Sequence, residues 1–169
     1  MSLSDYVNRK YDYLALQNTT GPGERKLGLE LFNKNNSGQI TTGVQKLAQR
    51  WLLEFMTERG SMPGLPRRGS NFMRAARVGG FRTPLNVRSE FALADMVIRR
   101  NLQAEETTDM PNDERFASAE LTNVAVLPGF DVSQKSGTTA AFLTLGVKIT
   151  SRAGDARTVV LPIEILPRD

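Results

Sequence analysis

The 169-residue chain contains neither cysteine nor histidine, and these two absences remove whole classes of chemistry. Without thiols there are no disulfides, thiolate metal sites or cysteine nucleophiles. Without imidazole there is no Ser-His or Cys-His dyad, and no transition-metal site other than a purely carboxylate one. Long apolar runs are missing too. Nowhere do about 18 uncharged apolar residues follow one another, as a membrane-spanning helix requires. The opening MSLSDYVNRKYDY has no apolar segment of the signal-peptide kind. The expectation is a soluble protein with no membrane contact.

Acid is absent from one long stretch. Between Ser61 and Ser89 stand six arginines (Arg67, Arg68, Arg74, Arg77, Arg82 and Arg88) and no Asp or Glu. The balance inverts further on, where Glu105, Glu106, Asp109, Asp113, Glu114 and Glu120 face Arg115 alone. The net charge of +4 therefore says less than its distribution, which suits an internal pairing or a charged docking surface. Apolar residues at 40% and charged residues at 24% are ordinary globular usage, and the length fits one compact domain.

Periodicity divides the chain. Residues 1–37 read as an extended arm or short strands: DYLALQ and KLGLELF are separated by the turn-forming TTGPGE and NKNNSG. Residues 38–169 read as one α+β domain. A helix is expected from Thr42 to Thr57, with Val44, Leu47, Ala48, Trp51, Leu52 and Phe55 on one face and Gln45, Lys46, Gln49, Arg50 and Glu54 on the other. Thr42 and Gln45 have the form of a capping box. Gly60, Pro63 and Pro66 end this helix. Ser70 is placed to cap a short second one, and Ser89 a third that runs to Glu106 with Phe91, Ala94, Ile98 and Leu102 inward. Glu105 and Glu106 would lie at the unfavourable end of the helix dipole, so they should fray or find basic partners. From Arg115 the period becomes two. Strands are expected at 114–127, 143–149 and 159–166, with Gly154-Asp155 at a hairpin tip. The expected fold is therefore α+β, two to three helices packed on a C-terminal antiparallel β-meander. Pro162, which lacks an N–H, suits an edge strand.

Several functional patterns come apart on inspection. GSMPGLPRRGS hints at a phosphate cradle, yet it lacks the lysine and the preceding strand of a P-loop. Glu54 and Glu58, one helical turn apart, have the spacing of an ordinary helix surface rather than of a hydrolase cleft. No spacing of Asp109, Asp113 and Glu114 resembles a cation loop; no metal or cofactor, and no catalytic residue, is expected. Nucleic-acid binding by the arginine-rich 67–88 region, with Phe72 and Phe81 as stacking faces, remains the alternative reading. Because these arginines spread through turns and a short helix instead of one face, contact with protein is the expectation and nucleic acid is disfavoured.

One further pattern joins the elements. GQITTGVQKLAQRWLLEFMTERGSMPGLPRRGSNF, residues 38–72, resembles a segment of the small baseplate wedge proteins of contractile phage tails. That family, also described as lysozyme-like, is related to a baseplate component of type VI secretion machines. The resemblance rests on Gly38, Ile40, Gly43, Gln49, Phe55, Thr57, Gly60, Gly69, Ser70 and Phe72. It extends to Asp113-Glu114-Arg115-Phe116, which stands where the family has an E-P-R-(I/V) tetrad, and to the two last strands. The resemblance implies a structural virion protein that attaches to the baseplate wedge core and initiates sheath assembly. Tail sheath subunits, wedge core proteins and tail tube or hub neighbours would be its partners, and the host cytoplasm its place during assembly. By the same resemblance Asp113, Glu114 and Arg115 would dock the wedge core. Leu143, Leu145, Val147 and Ile149 with Val159, Leu161, Ile163 and Ile165 would offer strands to the sheath. Arg67, Arg68, Arg74 and Arg77 would make charged contacts.

Overall fold

The structure, a computed structural model, describes residues 12–13, 16–18, 27–29, 40–78, 81, 83–128 and 141–165. It is an α+β fold. Among the described residues four short strands come first: β1 (Asp12–Tyr13), β2 (Leu16–Asn18), β3 (Leu27–Leu29) and β4 (Ile40–Thr41). β2 pairs with β3, and β1 with β4. The second pairing ties the arm to the residues just before the first helix. Among the described residues three helices follow, α1 (Gly43–Met56), α2 (Phe72–Arg77) and α3 (Pro84–Ala104), then a 3-10 turn at Asn112–Glu114. The chain closes with β5 (Phe116–Pro128), β6 (Ala141–Ser151) and β7 (Ala156–Ile165), an antiparallel meander with β6 in the middle.

The core forms where the apolar faces of α1 and α3 meet one face of this sheet. Trp51, Phe55, Phe72 and Phe91 are buried in contact there, Trp51 stacking on Phe55 at 4.8 Å and Phe55 lying 4.6 Å from Phe72. Leu143, Leu145, Val147 and Ile149 supply the sheet side from β6, with Leu161 and Ile163 beside them from β7. Alternation sends Lys148 and Val160 to the opposite face. β5 carries register shifts between Phe116 and Ser118 and between Leu121 and Asn123. The second sets Thr122 above β6, where a Cβ on Gly146 would come within 2.8 Å of its hydroxyl. Glycine at 146 is what lets the bulge lie flat.

Four local expectations need correction. α3 starts one and a half turns earlier than Ser89: Thr83 is its cap, accepting the Asn86 N–H at 3.3 Å, and Pro84 opens the first turn. The Thr42 side chain makes no capping bond; a carboxylate from far along the chain does that work instead. Ser70 precedes α2 by two residues and accepts the Phe72 N–H at 3.3 Å, while Asn71 holds the cap position. The polar face of α1 is also not a solvent face. Lys46, Gln49 and Glu54 are buried, whereas Leu53 is 39% exposed. α1 is enclosed on a second side by the 57–70 loop and the 3-10 turn, so polar residues there meet protein instead of water.

Candidate functional site

Three regions hold the residues picked out by sequence, apart from Arg74 and Arg77 on α2. The first is the sheet. β6 is bonded on both sides, to β5 and to β7, so Leu143, Leu145, Val147 and Ile149 have no edge to offer and point into the core. Val159 is half-buried against the core, and Leu161 and Ile163 are fully inside. The side chain of Ile165 lies outside the described residues. β7 itself, paired residue for residue from Ala156 to Ile165 without a bulge, has its outer edge unpaired among the described residues. β5, the other outer strand, is kinked at two places, a device that blunts edges.

The second region is the turn Asp113-Glu114-Arg115. Glu114 is 3% exposed and accepts Lys46 Nζ at 2.7 Å and the Gly43 N–H at 3.3 Å. It is the missing cap of α1, a negative charge at the positive end of the helix. Arg115 turns back on its own chain, donating from Nη2 to the carbonyls of Thr107 and Thr108 at 3.0 and 2.9 Å, while its Nε is buried without a partner. Asp113 is half-buried. Beside this turn Lys46, Glu105, Thr107, Asp109, Met110, Pro111 and Glu114 line a shallow pocket of about 210 Å³.

The third region is the loop from Thr57 to Ser70. Its base is closed by Ser70 N–H to Thr57 O at 2.9 Å and Arg59 N–H to Ser70 O at 3.0 Å. Inside it, Glu54 accepts the Gly69 N–H at 2.8 Å and Asn101 Nδ2 at 3.1 Å, and pairs with Arg68 Nε. The loop does cradle an anion, and the anion is the chain's own carboxylate. Arg68 also bonds Glu105, which takes Arg50 on its other oxygen. Glu106 pairs with Arg152 at 2.8 Å. The two acids at the C-terminal end of α3 thus find basic partners, as their position on the dipole demands.

The remaining arginines divide. Arg77 pairs with Glu58 at 3.0 Å on the surface. Arg67 and Arg74 are exposed, and no acidic side chain among the described residues pairs with either. Phe72, one of the two rings a single-stranded nucleic acid would stack on, is 1% exposed, and Phe81 lies on it at 4.8 Å, partly buried. Of these two rings, then, Phe81 alone keeps a partly open face. Glu54 and Glu58 are both engaged by arginine, and among the described residues no group of three or more His, Cys, Asp or Glu is arranged to hold a metal ion. No described helix is long and apolar enough to cross a membrane.

Asp95 was not singled out from sequence, though its place was readable: it follows Ala94 on the same inward stripe as Phe91 and Ile98. It is 8% exposed, accepts the Trp51 indole N–H at 3.3 Å and pairs with Arg99 at 3.2 Å. The guanidinium of Arg99 in turn lies 5.8 Å from the Phe116 ring centre. Burial pushes the Asp95 carboxyl above the ordinary aspartate value, against the opposing pull of Trp51 and Arg99. Because its folded value is the higher one, the folded state holds this proton more tightly. The associated stability is complete below the unfolded value and is lost as pH rises through the folded one. Asp95→Asn keeps an acceptor for Trp51 and removes the titration. Its stability relative to wild type should therefore climb with pH across the acid range and level off above it, as urea unfolding at a series of pH values would show. A difference that stays constant with pH would contradict the assignment.

No protein-family model, curated protein or solved structure gives a significant match to the chain.

Proposed function

We propose that the chain is a non-enzymatic part of a contractile phage tail, set between baseplate and sheath, which joins the wedge core to the sheath and starts sheath assembly. The observation that carries this reading is the outer edge of β7: ten residues in unbroken register with β6, whose other side is unpaired among the described residues. A row of N–H and C=O groups of that kind, short of one donor at Pro162, is a template for a strand from another chain. Within this reading β6 holds β7 in place, and the pairing with sheath subunits falls to β7. The wedge core would meet the surface braced by Glu114 and Arg115, with Asp113 beside them. Exposed Arg67 and Arg74 are available for contacts with acidic neighbours, including tube or hub proteins.

Adjacent residues of a strand send their N–H groups in opposite directions. Of Val159→Pro and Val160→Pro, one therefore removes a bond to β6 and destabilises the sheet, while the other removes only an outward donor. The outward variant should fold, by circular dichroism and thermal melting, yet seed polymerisation of a purified contractile-tail sheath subunit at least about tenfold more slowly than wild type. A folded outward variant that seeds sheath like wild type would overturn the reading. Deleting 159–169 is the poorer test, because it also removes the buried Leu161 and Ile163.

A further inference from the structure

α3 has a second apolar stripe. Leu85, Leu93 and Met96 are 71, 54 and 62% exposed, and their spacing of eight and eleven residues puts them on one side of the helix, opposite Phe91, Ala94 and Ile98. Single exposed apolar residues need no explanation, but three along one stripe form a surface. A groove of about 210 Å³ runs beside it, between α3 and the start of α2, with Leu93, Met96 and Val97 on one wall and Arg59 and Asn71 on the other. Around the stripe and groove together, cations outnumber acids. Arg59 lines the groove, and Arg88 and Arg100 flank the stripe on α3. All three are exposed, and no acidic side chain among the described residues pairs with them. Glu90 alone opposes them in the groove wall.

We propose that this face of α3 is a docking site for an amphipathic helix of another protein, one whose apolar stripe is flanked by Asp and Glu. Apolar side chains set along a helix beside a groove suit a helix laid lengthwise, with anchors at successive turns. The three arginines then fix orientation and exclude basic partners. A flat anionic membrane would use the arginines but not the concave wall, and a second copy of the chain would bring arginine against arginine. This face is separate from the β7 edge, and the proposal does not depend on the sheath reading.

The test uses the full chain and a fluorescein-labelled synthetic helix with leucine on one face and glutamate on both flanks, followed by anisotropy. Two further probes are the same peptide with lysine for every glutamate and vesicles of phosphatidylglycerol. The glutamate helix should bind, at least about tenfold tighter than the lysine helix at low salt, and weaken as salt is raised. Leu93→Ser/Met96→Ser should abolish binding, and Arg59→Glu/Arg100→Glu should switch the preference to the lysine helix. All four positions are on the surface or in the open groove, so both variants should melt like wild type. The proposal is overturned if the glutamate helix fails to bind or binds no tighter than the lysine helix, or if charge reversal leaves the preference unchanged. It is equally overturned if Leu93→Ser/Met96→Ser instead abolishes self-association in sedimentation, or binding to vesicles.

Discussion

Glu114→Ala should cost about 3–5 kcal/mol of folding stability, the range for taking one member from a buried ion pair. The loss has two parts that can be separated. Alanine takes away a carboxylate 2.7 Å from Lys46 Nζ, in a setting where the two side chains are 11 and 3% exposed. It also removes the acceptor of the Gly43 N–H at the start of α1, which no Thr42 hydroxyl replaces. Glu114→Gln retains an amide oxygen for Gly43 and removes only the charge, so it should fall between wild type and alanine. Combining Glu114→Gln with Lys46→Met should recover part of the loss, because two apolar or neutral groups tolerate burial better than one charge. Urea unfolding of wild type, Glu114→Gln, Lys46→Met and the double variant forms the cycle, with Glu114→Ala measured beside it. Equal stability of wild type and Glu114→Ala would mean that the pair contributes nothing and that α1 starts without a cap.

This one carboxylate shows what a sequence can and cannot disclose. β6 and β7 were legible because strict alternation in LTLGVKI and VVLPIEI admits one buried face. The apolar face of α1 was legible in the same way. The burial of Lys46, Gln49 and Glu54 was not, because a period assigns faces relative to one neighbour and α1 has two. The partner that buries Lys46 stands 68 residues away, and no local pattern connects them. Asp95 is the opposite case: an acid on an apolar stripe is itself the signal of a buried, partnered carboxyl. The start of α3 was also written locally, in Thr83-Pro84, but a second capping residue at Ser89 competed with it. Arg68 and Arg67 are adjacent and identical, yet one is held by Glu54 and Glu105 and the other faces solvent. Only the closure of the 57–70 loop decides which is which.

That closure depends on a single glycine. Gly69 has φ +89°, and a Cβ there would lie 2.5 Å from the Thr57 carbonyl oxygen, with Arg59 N and Glu58 C each at 3.1 Å. The atoms it would strike are backbone, and they belong to the bonds that close the loop: Ser70 N–H to Thr57 O and Arg59 N–H to Ser70 O. They are not able to yield without opening it. Gly69→Ala should therefore cost about 3 kcal/mol or more, the left-handed conformation contributing roughly 1–2 of this and the displaced loop base the rest. Gly64→Ala is the internal control. Its φ is +77° but nothing lies within 4 Å of the added carbon, so only the backbone share of about 1 kcal/mol should be lost. Chemical unfolding of both variants distinguishes steric closure from conformational preference, and equal losses would remove the steric argument. Opening the base also takes the Gly69 N–H from Glu54 and shifts Arg68, so hydrogen exchange at Gly69 and Ser70 should speed up in Gly69→Ala while Gly64→Ala leaves it nearly unchanged. In that outcome the glycines, prolines and paired arginines of residues 57–70 act first as a clamp on α1 and α3, and the exposed Arg67 is what the clamp presents outward.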